Sequence, residues 1–130
     1  MLQASLQERL SAIVGPDKVS AAAAVLESHS TDKWYASHPP DLVVFAESTA
    51  DVSAVLKFAS EHRIPVTTRG AGYGYVGGCV PLQGGIVLST ARMNRILGIH
   101  PEDGVAIVQP GVITGDLQKA AHDMGWEYPP

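Results

Sequence analysis

The run Arg69-Gly70-Ala71-Gly72-Tyr73-Gly74-Tyr75-Val76-Gly77-Gly78 constrains this chain more than any other stretch. Five of its ten residues are glycine, and each gives up more backbone freedom on folding than alanine, roughly 0.5–1 kcal/mol in a regular element. A loop of that composition exists where something must approach the main chain closely. Successive N–H groups in left- and right-handed conformations form a concave nest that holds an anion. The charge balance suits such a site. Acidic side chains outnumber basic ones 13 to 9, a formal charge of −4, which argues against a nucleic-acid partner. Backbone dipoles and the one Arg69 can still attract a pyrophosphate.

Three anion-binding loops compete for this stretch. A P-loop needs Gly-Lys-Ser/Thr at its end, and none is present. The Rossmann pattern is formally met by Gly72-Tyr73-Gly74-Tyr75-Val76-Gly77, with a strand before it, but such a loop must open a helix. Here Pro81 and Gly84-Gly85 follow, then a strand. The third form is a glycine loop between two strands, holding a dinucleotide through backbone N–H groups.

The flanking patterns predict a mixed α and β chain. Leu2, Leu6, Leu10 and Ile13 recur at helical spacing until Gly15-Pro16 stops them, and a short helix is expected over Ala21 to Leu26. Ser30 to Pro40 reads as a surface loop. Leu42 to Phe45 is a brief apolar strand. Ser48 or Thr49 caps a helix whose stripe is Val52, Val55, Leu56 and Ala59, with Asp51 at its positive end. Pro65 to Thr68 is the next strand, completing the proportions of a βαβ crossover, and Ile86 to Leu88 a third. Ile96 to Ile99 and Val105 to Val108 flank Pro101-Glu102-Asp103-Gly104 as a hairpin. Thr114 caps a last helix carrying Leu117, Ala120, Ala121 and Met124, with Gly125 after it.

From Pro40 to Pro130 matching pieces recur in order: Pro40-Asp41 with its strand; the helix from Thr49; Ile64-Pro65-Val66 into Arg69-Gly70-Ala71-Gly72; Gly77-Gly78; Gly84-Gly85-Ile86-Val87-Leu88; Arg92-Met93-Asn94-Arg95-Ile96; Val108-Gln109-Pro110-Gly111-Val112; and Tyr128-Pro129-Pro130. In these the chain resembles the FAD-binding (PCMH-type) domain of the vanillyl-alcohol oxidase superfamily, in the branch of the glycolate oxidase FAD-binding subunit and the D-lactate dehydrogenases.

The resemblance implies an α+β fold, the first subdomain of such a domain, with a small mixed sheet and flanking helices. Residues 1–39 form a helical preface and 40–130 the N-terminal portion of the FAD-binding domain. It implies FAD contacts from Gly70, Ala71, Gly72, Tyr73, Gly74, Gly77 and Gly78, with Arg69 at the loop entrance. The Arg-Met-Asn segment is structural by the same resemblance. Tyr73 departs from the small Thr or Asn usual in this branch, and from the flavin-linking His of other branches, so non-covalent FAD is expected. The implied activity is hydride transfer from a 2-hydroxy acid to flavin, reoxidised by a further electron acceptor. Family members also oxidise sugars or phenols. Catalytic residues are unassigned, because in this family they lie in a substrate domain beyond Pro130.

Pro129-Pro130 reads as a connector, and the expectation is a chain cut from something longer, its C-terminal half or partner subunits elsewhere. A non-catalytic fragment therefore stands as the alternative, exposing apolar surface where the rest would sit. An independent nucleotide-binding module is disfavoured, since the flavin ring would lie in water. The single Cys79 excludes an intrachain disulfide and suits the cytoplasm, with peripheral membrane attachment the variant. No signal pattern or membrane-spanning stretch is present. The five histidines lack ligand spacing. Cys79 reads as a packed side chain without a basic neighbour in sequence, Glu102 and Asp103 as solvated, Met93 and Met124 as core filler, and Trp126 as packed under the last helix.

Overall fold

Runs of four residues, too short for helices and apolar in two of three cases, build the central layer. In the computed structural model, which describes residues 2–129 and side chains from Ser5 onward, β2 (Leu42–Phe45), β3 (Val66–Arg69) and β4 (Ile86–Ser89) are parallel. β4 lies between the other two, with Leu42 and Val66 both in register with Ile86. All four residues of β4 are buried, as continuous apolar runs at the centre of parallel sheets are. A two-residue strand β1 (Val19–Ser20) adds an antiparallel edge on β2. The order β1-β2-β4-β3 makes a small mixed sheet. The expected crossover from β2 to β3 therefore skips a place, which β4 fills.

Helix α1 (Leu2–Val14) and helix α3 (Thr49–His62) cover one face of the sheet. The buried row of α1 is Leu6, Leu10 and Val14, at i, i+4 and i+8; Ile13, expected inside, is 44 % exposed. Leu2's side chain lies outside the described residues. In α3 the buried row is Val55, Phe58 and Ala59, and Leu56 faces outward. Leu10, Val44, Val55, Ile86, Leu88 and Met93 belong to one apolar cluster. The first thirty-nine residues thus share their core with the strands that follow.

The Ser48 hydroxyl accepts the Asp51 N–H (3.1 Å) and the Asp51 carboxylate accepts the Glu47 N–H (2.9 Å), satisfying donors at the start of α3. Lys18 Nζ lies 2.9 Å from the same carboxylate. Burial pushes the Asp51 carboxyl up, but the bonds from Lys18 and the Glu47 N–H outweigh it and leave the group below the ordinary carboxylate value. The hydrogen bond to Asp51 raises the Lys18 ammonium correspondingly. At the other end Arg63 takes a left-handed conformation (φ 54°) and turns the chain toward β3.

The short second helix is α2 (Ala23–Ser28), two residues later than its apolar pattern suggests. Beyond the sheet, β5 (Ile96–His100) and β6 (Val105–Val108) form an antiparallel hairpin with Gly104 in the left-handed turn. Helix α4 (Thr114–His122) follows, capped at Ile113 without a side-chain bond rather than by Thr114. It buries Leu117 and Ala121, whereas Met124 and Trp126, both expected to be packed, are about half exposed. Every residue of β6 is exposed. Pro130, part of the terminal Tyr-Pro-Pro, lies outside the described residues.

Candidate functional site

β3 and β4 are parallel neighbours joined by residues 70–85 without a helix, so the glycine loop is itself the connection between them. It leaves the carboxyl end of β3 and reaches 78 before returning, the position where open α/β sheets place their ligands. The absence of a helix after Gly77 removes the Rossmann reading on geometry.

Arg69 to Gly78 fall in one loop, and the structure brings together all eight residues singled out there. Among the described residues, none of the N–H groups of Ala71, Gly72, Tyr73 and Gly74 donates to a protein acceptor. These residues are exposed or half-buried at the end of edge strand β3, so the four successive donors are open to solvent or to an anion. Gly72 (φ 77°) turns the chain; a Cβ there would lie 2.7 Å from the Arg69 guanidinium carbon. Tyr73 is 68 % exposed and carries Lys33 Nζ 4.9 Å from its ring centroid, so a cation stands at the rim.

The Arg69 guanidinium packs against Gly72 but directs its own donors elsewhere. It donates to the Thr31 carbonyl (2.6 Å) and the Ser28 carbonyl (3.4 Å), and one nitrogen lies 3.6 Å from Cys79 Sγ. Cys79 therefore has the basic neighbour in space that it lacks in sequence, and is half-buried. The segment before β2 also grips the loop's far side: the Lys33 N–H donates to the Gly74 carbonyl (3.0 Å), and the Gly77 N–H to the Asp32 carboxylate (3.0 Å).

A cavity of about 130 Å³ adjoins the loop entrance, lined by Gly70, Ala71, Ala91, Asn94, Gly111, Ile113 and Asp116. The last five were not foreseen as neighbours of the loop. Their signals were Arg92-Met93-Asn94 and Pro110-Gly111-Val112, whose spacing does not reveal that they fold back on Gly70. Gly111 is tied there by its N–H to the Met93 carbonyl (2.8 Å). A larger cleft of about 450 Å³ lies on the far side of α4, among Gln118, His122, Trp126 and Tyr128. It holds none of the loop's free donors.

Among the described residues no group of three or more His, Cys, Asp or Glu is placed to hold a metal. Among the same residues no helix is long and apolar enough to cross a membrane. What the loop offers chemically is a run of main-chain donors to an anion, with cations at one remove.

A family profile described as "FAD binding domain" matches residues 40–130. The chain is 39 % identical over 132 residues to the glycolate oxidase subunit GlcD of Bacillus subtilis, covering 100 % of this chain and 28 % of that protein. It is 39 % identical over 119 residues to a D-lactate dehydrogenase of Anaerostipes hadrus, covering 90 % and 25 %. Among solved structures, p-cresol methylhydroxylase with substrate bound superposes with a TM-score of 0.81 at 29 % identity, over 94 % of this chain and 25 % of that one. The chain spans about a quarter of the length of these relatives.

Proposed function

The chain belongs to the FAD binding domain family, and from that membership we propose that it supplies the pyrophosphate-holding loop of an oxidoreductase acting on a 2-hydroxy acid. FAD is the cofactor of the family. When bound, it supplies a two-electron acceptor for the substrate's hydride. The observation that carries the reading is the run of free N–H groups from Ala71 to Gly74 at the carboxyl end of a buried parallel sheet.

The residues present fit a dinucleotide. Gly70, Ala71, Gly72, Tyr73 and Gly74 offer main-chain donors to the phosphates, and Gly77 and Gly78 let the loop close without side chains in the way. Arg69 serves the loop as a brace through Thr31 and Ser28, lending positive charge from behind. Tyr73 at the rim is not the histidine that forms a flavin link elsewhere in the superfamily, so the cofactor is held non-covalently.

On this reading residues 40–130 are the front of the FAD-binding domain and 1–39 its preface. The substrate-activating groups, and the contact with the electron acceptor, come from the part of the relatives' length that this chain does not span. The chain alone is expected to bind without catalysing. Its single cysteine goes with a cytoplasmic location, or peripheral attachment to a membrane.

The test is a visible spectrum of the chain after incubation with FAD and gel filtration. Flavin bands that travel with the protein support the reading. A colourless protein, after FAD at a hundredfold molar excess, refutes it for this chain. In a protein carrying this chain at its relatives' length, anaerobic bleaching by glycolate or D-lactate supports the substrate class. Bleaching only by a sugar or a phenol moves the activity to those alcohols.

A further inference from the structure

Glycine restricts the backbone least, and the N–H groups from Ala71 to Gly74 have no acceptor within the protein. The bonds that fix the loop's conformation must therefore come from outside that run. The contacts that cross to the loop come mainly from residues 28–34, a stretch that precedes the segment matched by the family profile. We propose that Asp32 is the positioning residue of the pyrophosphate loop, a clasp that fixes Gly74 to Gly77 before any cofactor arrives. The inference rests on the reading of the loop as the FAD site.

The geometry is specific. One carboxylate oxygen of Asp32 accepts the Trp34 N–H (2.7 Å), closing an Asx turn. The other accepts the Gly77 N–H (3.0 Å), forty-five residues away. The turn sets the two groups on either side of Asp32. Lys33 is presented so that its N–H donates to the Gly74 carbonyl (3.0 Å). Trp34 is presented so that its ring lies on the Gly77 Cα, where a Cβ would meet the indole at 2.8 Å. Gly77 is held at φ 73°, a conformation only glycine adopts freely. One carboxylate thus organises a bond at each end of the Gly74–Gly77 segment and a packed ring over it.

A carboxylate is an unexpected neighbour for an anion site, since its charge opposes a phosphate. Here both its oxygens are engaged by main-chain N–H donors, in charge-assisted bonds stronger than neutral ones. The carboxylate's acceptors are thus turned to the protein's own backbone, and the effect of Asp32 is to order the loop. A neutral amide cannot replace it. Asparagine has one acceptor oxygen and turns a donor toward one of the two N–H groups, breaking either the Asx turn or the bond to Gly77.

The test is Asp32→Asn in the full chain, with two readouts. Without FAD, the Gly77 amide proton exchanges with solvent slowly in the wild type and at least about tenfold faster in the variant, while the amides of β4 are unchanged. With FAD, the dissociation constant rises about tenfold or more at an unchanged thermal midpoint. Trp34→Ala, which leaves the carboxylate but removes the ring from Gly77, weakens FAD in the same direction. Equal Gly77 exchange in wild type and variant overturns the clasp, and so does an Asp32→Asn affinity equal to or above the wild-type value. A wild-type chain that takes no FAD refutes the cofactor reading instead, and the exchange result then decides the clasp on its own.

Discussion

Replacing Gly85 by alanine separates two effects that are usually confounded, a strained backbone angle and a steric collision. Gly85 has φ 75°, and its neighbour Gly84 has φ 68°. Both residues are buried at the entry to β4. Forcing an L-residue into the left-handed region costs about 1–2 kcal/mol, and that cost is shared by both positions. Their surroundings differ. A Cβ on Gly84 would meet the tip of the Asp41 side chain at 3.2 Å, which can turn aside by a few tenths of an ångström. A Cβ on Gly85 would meet backbone: it would lie 3.0 Å from the Pro65 carbonyl carbon and closer still to its oxygen. That oxygen accepts the Ile86 N–H (2.9 Å), at the start of the β3–β4 pairing. Relief there requires moving the end of buried β4 against the half-exposed start of β3, a packing penalty of about 1–3 kcal/mol beyond the angle.

Gly84→Ala is therefore expected to lose about 1–2 kcal/mol and Gly85→Ala roughly 2–5 kcal/mol. Domains of this size have only about 5–15 kcal/mol of stability. Urea denaturation followed by far-ultraviolet circular dichroism resolves the two. With a slope of about 1–3 kcal/mol per molar, the Gly85 variant's midpoint falls by roughly 1 M or more below wild type, and clearly below that of Gly84→Ala. Equal losses at both positions would show that the angle alone sets the cost, and the close approach of Pro65 to Gly85 would then carry no weight.

Leu10→Ala, which empties a fully buried position between α1 and the sheet, is expected to lower the stability of the whole molecule by about 2–5 kcal/mol. A urea transition that loses only α1 would refute the shared core. Because the folded Asp51 carboxyl lies below its unfolded value, its contribution is complete above the ordinary carboxylate range near pH 4. It is lost as pH falls through the folded value. Lys18, raised in the folded state, contributes below its unfolded value near pH 10.4, and that contribution fades as pH climbs through the folded one. Asp51→Asn should thus flatten the acid limb of a stability–pH curve, and an unchanged limb would count against the pairing. Leu97, Val105, Ile107 and Ile113 are each about half exposed on or beside the hairpin, and exposed apolar side chains of this kind favour association. Sedimentation is expected to show self-association that Ile107→Lys reduces, and a wild-type monomer at all concentrations would refute it.

The helices and strands with strong local signals were legible in the residues. Ser48 before an apolar stripe marked the start of α3, and the short runs at Leu42, Val66 and Ile86 marked the parallel strands. β1 was not, because two residues carry no periodicity. The place of β4 between β2 and β3 was not read either, although the polar Thr67, Thr68 and Arg69 suit an edge strand and the apolar start of β4 suits a central one. Tertiary packing also overrode single positions: Ile13, Leu56 and Met124 have core-like character, yet the faces they occupy meet no partner. The glycine loop announced itself by composition. Its supports did not, because Asp32 and Thr31 read as ordinary surface-loop residues until the chain brings them beside Gly77 and Arg69, roughly forty positions on. The same distance hid Gly111 and Asn94 from Gly70.

The strand order has a consequence for how the chain acquires its structure. β2 and β3 are made first but do not touch; β2 has only the two-residue β1 beside it, and the parallel partner of both is β4, the last of the three to leave the ribosome. No parallel pairing exists until residue 89 is available, and the closing contact must span a flexible glycine loop whose closure entropy opposes it. Reliance on such distant pairings makes folding slow relative to a helical protein of equal size. The step that seats Ile86, Val87 and Leu88 between their neighbours is the same step that closes the glycine loop, so the loop takes its shape together with the parallel sheet and not before it.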